Sequence, residues 1–357
     1  MHLAEQLSLR PIPCAGLLVT LTRRCPLSCA HCSTASTMRG DEPDAQQLSR
    51  FIGSFTALDR PELILLTGGE PLLRPELAAA VADSARAAGA RSALLSGLFF
   101  ARAPRIPSPI RRAIDSVDHF SASLDVFHER QVPREAVFRV LREVLDGGTP
   151  VSLHITGLAP GEPYVEDLVA QVRRTFGEQV PMLVNSVRRV GRAAAWSTSG
   201  ARPEPDGRVA PCAMAAWPVV AFDGSILACC SQDTVDVRPV PAHLLLGHIA
   251  DTDWSQVRER ALGSPLLRMI RAVGPAHLYE RYGFLNACVG YCEGCRSLGT
   301  HPALVDAVKR DGGGPVGVLL DLVTTGRSRG PESAVALARR YGNPDHAEQV
   351  AAGFGGA

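Results

Sequence analysis

Strand-like and helical patterns alternate through the first half of this 357-residue chain. Short apolar runs, typical of buried strands, lie at 15–22, 62–67, 91–96, 118–124, 150–156 and 181–187. Helical periodicity marks the segments near 43–58, 75–88, 133–146 and 163–175, with a weaker pattern between prolines at 108–115. Such alternation predicts an α/β fold with a parallel sheet and right-handed crossovers. Because ligands of such folds bind at the carboxyl ends of the strands, the polar residues after each run are candidate site residues.

The first run leads into three closely spaced cysteines, Cys25, Cys29 and Cys32. A structural zinc site takes four ligands, and a disulfide takes two cysteines. Three thiolates are therefore best interpreted as ligands of an iron–sulfur cluster with one iron open to a substrate or cofactor. The competing interpretations are a partial zinc site and three unrelated buried cysteines.

The Cys-x3-Cys-x2-Cys spacing resembles the signature of the radical S-adenosylmethionine (radical SAM) enzymes, although His31 stands where that family usually has an aromatic residue. The resemblance implies that the three cysteines hold a 4Fe–4S cluster whose open iron chelates SAM. One electron from that cluster would cleave SAM to methionine and a 5′-deoxyadenosyl radical, which then removes hydrogen from an unactivated carbon. It also implies an open, partial (β/α)6 TIM-like barrel, here over residues 15–195.

A second motif follows the second run. The segment Gly68-Gly69-Glu70-Pro71 resembles the Gly-Gly-Glu-Pro motif of the same family. Two glycines let the backbone approach a ligand closely, so main-chain groups there are expected to bind the methionyl ammonium of SAM, with Glu70 adding charge or fixing the loop. A lone Gly-Gly pair would be an ordinary turn, but its place one strand–helix unit after the cysteines makes the signal specific.

The resemblance assigns four further residues to SAM. Ser96 ends the third run, where a small polar residue often lies near SAM, although a turn explains it equally well. Ser123 and Asp125 resemble a segment that reaches the SAM ribose, and strand alternation turns both to one face; a strand end with an Asp turn is the alternative. Arg192 belongs to a Gly-Arg-Ala segment found near the adenine.

Three other polar residues could act on the substrate at the barrel mouth or line the site, but a structural interpretation is favoured for each. His128 and Glu129 follow Asp125 and are predicted to form an exposed loop pair. His154, on the fifth run, is predicted to be a hydrogen-bonded histidine inside the fold.

Beyond a Ser-, Gly- and Pro-rich linker at 196–211, the strand–helix pattern ends. Two short runs around Asp223-Gly224 predict a hairpin that ends in Cys229-Cys230, and Cys288, Cys292 and Cys295 follow. The 212–300 segment resembles the SPASM or Twitch extension of radical SAM enzymes, a small α+β domain that holds an auxiliary 4Fe–4S cluster. Neighbouring strand residues point to opposite faces, so only one of Cys229 and Cys230 is expected to be a ligand.

Six thiols are too few for two fully ligated auxiliary clusters, which need about eight. One cluster is therefore expected, held by Cys212, Cys229, Cys292 and Cys295, with Cys230 and Cys288 spare. A structural zinc ribbon on the same four thiolates is the competing interpretation.

Composition limits the partners and the compartment. Lys and Arg number 37 against 36 Asp and Glu, a net charge of +1, so nothing favours nucleic acid or an anionic membrane. Ten cysteines at close spacings, without a secretory leader, indicate metal ligation in the reducing cytoplasm. Residues 1–14 are expected to be an irregular lead-in, and 301–357 a helical segment with a Gly/Ala-rich tail.

The predicted function is thus a radical SAM enzyme with an auxiliary cluster that oxidatively modifies a ribosomally made peptide, by cross-link or thioether formation. The alternatives are dehydrogenation or epimerisation of a small molecule such as an antibiotic sugar, and an electron-transfer or zinc-stabilised binding protein that does not cleave SAM. The Gly-Gly-Glu motif disfavours the last alternative. An electron donor such as flavodoxin or ferredoxin is the other expected partner.

Overall fold

The computed structural model describes residues 1–197, 209–284, 290–325 and 331–355. Within them, one mixed sheet contains the strands β1 (Gly16–Thr22), β2 (Leu63–Gly68), β3 (Arg91–Ser96), β4 (His119–Ser123), β5 (Val151–Gly157), β6 (Met182–Ser186), β7 (Val219–Val220), β8 (Ser225–Leu227) and β9 (Leu245–His248). Their order across the sheet is β6-β5-β4-β3-β2-β1-β7-β8-β9.

The first six strands pair in parallel, each with the next one in the chain. Their residues alternate between a helix-packed face, such as Leu17, Val19 and Leu21 of β1, and an inner face that is partly open. β6 lies at the edge of the sheet, so the barrel is open. The predicted α/β fold with a partial, TIM-like barrel is confirmed.

Helices connect the strands and cover the outer face. They are α1 (Leu3–Ser8), α2 (Ala45–Ile52), α3 (Pro75–Ala87), α4 (Ser108–Asp115), α5 (Val126–Glu129), α6 (Arg134–Asp146), α7 (Pro163–Phe176), α8 (Gln232–Val235), α9 (Trp254–Gly263), α10 (Pro265–Ala272), α11 (Pro275–Arg281), α12 (Tyr291–Ser297), α13 (Pro302–Gly313), α14 (Pro315–Thr325) and α15 (Pro331–Tyr341). Helix α2 is shorter than its sequence pattern, because Asp44 caps its start and Gly53 follows its end. In the part of the chain that the structure describes, no helix has the length and apolarity needed to cross a membrane.

The N-terminal segment is more regular than predicted. His2 and Glu5 form a capping box that begins α1. Leu3 and Ala4 are buried against α15 and the 3₁₀ turn Pro344–Ala351 in a small core of their own. The two ends of the described chain therefore pack against each other.

The predicted hairpin extends the barrel sheet. β7 pairs in parallel with β1, where Leu18 and Val19 face Val219 and Val220. β8 and β9 follow as antiparallel strands, with the β7–β8 turn at Gly224 in a left-handed conformation, φ +85°. This half of the chain thus shares one sheet with the barrel, while α9 to α14 form a separate helical layer; the domain boundaries proposed from sequence remain predictions.

Candidate active site

The loop after β1, residues 23–41, carries Cys25, Cys29 and Cys32 and is called the cysteine loop below. Two backbone hydrogen bonds close it, from Arg23 to Asp41 (2.8 Å) and from Cys25 to Thr37 (3.1 Å). The pKa of the Cys25 thiol is raised to about 12, chiefly by burial, with smaller contributions from Glu70 and from the nearby Cys32 and Cys29 thiols. Thiols that interact in this way suit a bound cationic metal group, which stabilises their thiolate forms, so the three residues fit an iron–sulfur cluster.

Gly68 and Gly69 bring the end of β2 against the cysteine loop. Gly69 donates a hydrogen bond to the Thr22 carbonyl (2.6 Å), and Glu70 donates one to the Arg24 carbonyl (2.8 Å). A Cβ on Gly68 would lie 2.2 Å from the Thr22 oxygen, and one on Gly69 would lie 2.4 Å from the Arg24 oxygen. The two glycines are therefore required by the contact between two strand ends, a reason that the sequence motif did not reveal.

Glu70 is fully buried and joins β2 to β3. Its Oε1 accepts from Ser96 Oγ (2.9 Å) and the Leu72 amide (3.1 Å), and its Oε2 accepts from the Gly97 amide (2.9 Å). Burial raises the pKa of Glu70 to about 7, although these hydrogen bonds act to lower it. Of the two roles predicted for Glu70, this geometry matches fixing the loop, and Ser96 is engaged in the same network.

A histidine–aspartate group follows β4. Asp125 Oδ2 lies 3.0 Å from His128 Nδ1 and 3.4 Å from His31 Nε2, while Oδ1 accepts from the Phe127 and His128 amides. His31 stacks on Phe127, with ring centroids 4.5 Å apart. His128 is 9% exposed, so the expected exposed loop pair is wrong for this residue; Glu129 accepts instead from Arg134.

The two histidines of this group differ in charge at neutral pH. Burial lowers the pKa of His31 to about 4, even though Asp125 raises it. Burial also acts to lower the pKa of His128, but hydrogen bonds to Asp125 and Cys29 outweigh it and raise that pKa to about 10. The Asp125 carboxyl keeps a lowered pKa, since its bond to His128 outweighs the effect of burial. At neutral pH the group therefore holds an Asp125–His128 ion pair beside a neutral His31.

The segment after β6, residues 190–196, is called the clamp below because it holds the cysteine loop from the other side. Arg192 donates to the carbonyls of Cys29 (2.8 Å) and Ser36 (2.7 Å), and its amide donates to the Cys32 carbonyl (3.0 Å). Trp196 Nε1 donates to the Ala30 carbonyl (2.9 Å). The guanidinium of Arg192 is thus committed to the cysteine loop.

Polar side chains line the inner face of the last three barrel strands. Ser123 pairs across the sheet with His154, and Thr156 pairs with Asn185. All four are half-buried, and the first three lie between buried neighbours. Burial lowers the pKa of His154 to about 4, so its ring is neutral. No hydrogen bond joins the His154 side chain to another described residue, so the expected hydrogen-bonded interior ring is not observed.

Four distant cysteines meet beyond the hairpin. The thiols of Cys212, Cys229 and Cys292 all act on Cys295, whose pKa is raised well above its usual range by burial first and by these neighbours next. Burial also raises the pKa of Cys229, with further contributions from Cys230 and Cys212. These four are the residues that the sequence grouped, and a set of four thiols suits an iron–sulfur cluster or zinc equally well.

Cys230 turns away from that group. Its sulfur accepts from Arg10 and lies 3.6 Å from Met214 Sδ. Arg10 also stacks over Trp217, 4.6 Å from the ring centroid. Cys288, which is predicted to be spare, lies outside the described residues.

Sequence reasoning missed the supports of the cysteine loop, namely His128, Gln131, Gly191 and Trp196. An available signal was the Asp125-x2-His128 spacing, which places a helix-capping carboxylate next to a side chain three residues later. No local pattern marks Gln131 or Trp196, because both act across more than 100 residues of sequence.

Comparison with known proteins places this geometry in a family. Residues 19–171 match the model of the radical SAM superfamily. Over 69 residues the chain is 42% identical to the PqqA peptide cyclase of Ruegeria pomeroyi, covering 19% of this chain and 18% of that protein. Over 147 residues it is 28% identical to the PqqA peptide cyclase of Streptomyces rochei, covering 40% of each. The chain thus spans less than half the length of these curated relatives.

Among solved structures, SuiB from Streptococcus suis, bound to S-adenosylmethionine, has a similar fold. The TM-score is 0.51 at 11% identity, over 83% of this chain and 76% of that one. At this identity the likeness concerns the fold alone.

Proposed function

Because this chain belongs to the radical SAM superfamily, we propose that it is an enzyme that reductively cleaves SAM and then removes hydrogen from an unactivated carbon of a ribosomally made peptide. The observation that carries the proposal is the cysteine loop itself. Its three thiols lie at the carboxyl edge of the barrel, held there by the ends of β2 and β6. Barrel enzymes bind their substrates at this edge. An electron-transfer protein would not need a substrate site there.

Cys25, Cys29 and Cys32 would hold a 4Fe–4S cluster and leave one iron open for SAM. When bound, this cluster supplies the electron that cleaves SAM, and an auxiliary cluster accepts an electron from the substrate. We assign Gly68, Gly69 and Glu70 to holding the strand ends that surround the SAM pocket.

The residues predicted to contact SAM divide into two groups. Ser96 donates to Glu70, and Arg192 donates to the cysteine loop, so we assign both to positioning. Ser123 lies on the inner face of β4 and keeps its proposed place near the ribose. Asp125 is proposed to meet the ribose from the same strand end, sharing its carboxylate with the two histidines.

We propose that Cys212, Cys229, Cys292 and Cys295 hold the auxiliary 4Fe–4S cluster rather than zinc. The support is their convergence from three separate segments, close enough for their thiols to act on one another. Protein whose Cys25, Cys29 and Cys32 are all changed to Ala should remain brown and contain about four irons per chain. Colourless protein containing zinc would contradict this assignment.

A peptide substrate is supported by two relatives, both PqqA peptide cyclases. The inner face also offers neutral hydrogen-bonding groups, including His154 and Asn185, which suit backbone amides of a peptide. An electron donor such as flavodoxin or ferredoxin is part of the same proposal, since SAM cleavage consumes one electron.

The central test is SAM cleavage without substrate. Anaerobically reconstituted protein with a strong reductant should convert SAM to 5′-deoxyadenosine, and the Cys25/Cys29/Cys32→Ala variant should not. A Cys292→Ala/Cys295→Ala variant is the matched control, because it removes two cysteines from the other group and should keep this activity. Activity in the triple variant would show that the primary assignment is wrong.

The reaction type is proposed to be oxidative. A spare thiol that returned a hydrogen atom to the substrate would give a redox-neutral product, but Cys230 is engaged by Arg10 and Met214. With peptides encoded near the gene as candidates, the expected product is two daltons lighter than its precursor and gains no deuterium from D2O. A one-dalton gain in D2O that disappears in Cys230→Ala or Cys288→Ala would overturn the oxidative assignment.

A further inference from the structure

One side of the cysteine loop is covered by the turn after β4, residues 125–131, called the β4 turn below. Two of its side chains, His128 and Gln131, approach the sulfur of Cys29. We propose that these two positioning residues donate hydrogen bonds to Cys29 Sγ and thereby raise the reduction potential of the cluster held by the cysteine loop. This rests on the proposed function only in taking Cys29 as a cluster ligand.

The orientation of the Gln131 amide is fixed by its other contacts. Its Oε1 accepts from the Ser28 amide (2.8 Å) and from Ser28 Oγ (3.2 Å). An amide oxygen that accepts two hydrogen bonds leaves the NH2 end as the one that faces the sulfur. Nε2 of Gln131 accordingly lies 3.6 Å from Cys29 Sγ, within the range of an N–H···S hydrogen bond.

The ring of His128 is fixed in a comparable way. Asp125 Oδ2 engages Nδ1 at 3.0 Å, and Asp125 Oδ1 accepts from the backbone amide of His128 at 3.1 Å. The ring is buried, and the Cys29 side chain is its other polar neighbour. With Nδ1 engaged by the carboxylate, Nε2 is the nitrogen left for the sulfur. This carboxylate–histidine–thiolate chain follows the logic by which carboxylates orient metal-bound histidines.

The other two cysteines have weaker support in the described residues. Cys25 accepts from the Leu27 amide, as expected within a tight loop. Cys32 Sγ lies 3.3 Å from Thr34 Oγ1, and that hydroxyl is shared with Ser36 Oγ at 2.6 Å. Cys29 is therefore the thiol on which side chains from another strand end converge.

Two donors on one ligand sulfur should favour the reduced state of the cluster. Reduction adds negative charge to the cluster and its thiolates, so a hydrogen bond to sulfur is stronger after reduction than before it. The β4 turn would thus make the electron needed for SAM cleavage easier to load, without contacting SAM through either donor.

The test is a reductive titration of reconstituted full-length protein, without SAM, followed by electron paramagnetic resonance. Gln131→Leu and His128→Phe each remove one donor, His128→Gln keeps one, and the exposed Arg130→Ala is the matched control on the same turn. At the potential where the wild-type cluster is half-reduced, Gln131→Leu and His128→Phe should each show a reduced-to-oxidised ratio roughly tenfold lower, because a charged hydrogen bond changes strength on reduction. Arg130→Ala should match the wild type, and His128→Gln should recover part of the shift.

Two features make the outcome decisive. The same titrations in a Cys292→Ala/Cys295→Ala background remove the auxiliary signal, and the shifts must persist there. Unchanged potentials in Gln131→Leu and His128→Phe that still hold a cluster would overturn the proposal, even if iron content fell. If His128→Phe fails to load a cluster, Gln131→Leu decides, since Gln131 is only half-buried. No SAM turnover is needed, so failure of the wild type to cleave SAM would refute the proposed function alone.

Discussion

Gly191, at the start of the clamp, permits a comparison between two glycine substitutions that differ in one respect. Gly191 has φ +55°, and a Cβ there would lie 2.3 Å from the carbonyl oxygens of both Cys32 and Ser33. Gly161, in the loop after β5, has φ +67°, and nothing lies within 4 Å of its Cβ position. Both positions disfavour alanine for their backbone conformation, but only Gly191→Ala collides with the cysteine loop.

The magnitudes follow from that difference. Gly161→Ala should cost about 1–2 kcal/mol of unfolding free energy, the penalty of a left-handed L-residue. Gly191→Ala should add about 1–3 kcal/mol for overpacking, because two backbone carbonyls cannot rotate away as a side chain can. Movement of those carbonyls would also break the hydrogen bond from the Arg192 amide to the Cys32 carbonyl (3.0 Å).

Urea unfolding of the metal-free proteins measures the loss of unfolding free energy in each variant. Iron per chain after reconstitution measures whether the cysteine loop still holds its cluster. We expect Gly161→Ala to load iron like the wild type and to cleave SAM. Gly191→Ala should lose the iron of the primary cluster and the SAM cleavage, while the auxiliary cluster keeps its colour. Equal iron loading in the two variants would refute the reasoning that the clamp holds the cysteine loop in place.

Two further predictions concern buried acids and thiols. Burial raises the pKa of Glu70 to about 7 from 4.5, so its contribution to stability is complete below pH 4.5 and is lost as pH rises through 7, about 3 kcal/mol in all. Glu70→Gln should therefore flatten the pH profile of urea unfolding between pH 4.5 and about 7, and an unchanged slope would contradict this. Cys229→Ser should remove auxiliary-cluster iron and visible absorption, whereas Cys230→Ser should not, and equal losses would contradict the assignment of Cys229 alone as the ligand.

The barrel could be predicted because its strands are mostly buried, with only the inner face of the sheet partly open. Such strands are continuous apolar runs, and each of the six predicted runs overlaps an observed strand. The pairing of β7 with β1 could not be predicted. β7 contains two residues, Val219 and Val220, and its place depends on contact with a strand about 200 residues earlier. Local sequence patterns do not reveal a contact between residues so far apart in the chain.

In the candidate site, sequence reasoning could propose residues where chemistry fixes local spacing, but it missed contacts that come from a distance. The three cysteines lie within one loop, so their spacing is readable. The burial of His128 is not, because it depends on the β4 turn folding onto that loop. The resemblance placed Arg192 near the adenine of SAM. It did not reveal that the Arg192 side chain donates hydrogen bonds to the carbonyls of Cys29 and Ser36.

A loop without helix or strand keeps its shape only if its backbone groups find partners, and the cysteine loop takes them from β2, the β4 turn and the clamp. Arg192 alone satisfies two carbonyls, so Arg192→Gln should lower iron loading of the primary cluster and leave the auxiliary cluster intact. Arg188→Gln is the control, since Arg188 is exposed in the segment just before the clamp. Equal loading in both variants would mean that the bonds from β2 and the β4 turn suffice, and that the clamp, which lies beyond the family-matched residues 19–171, is not needed.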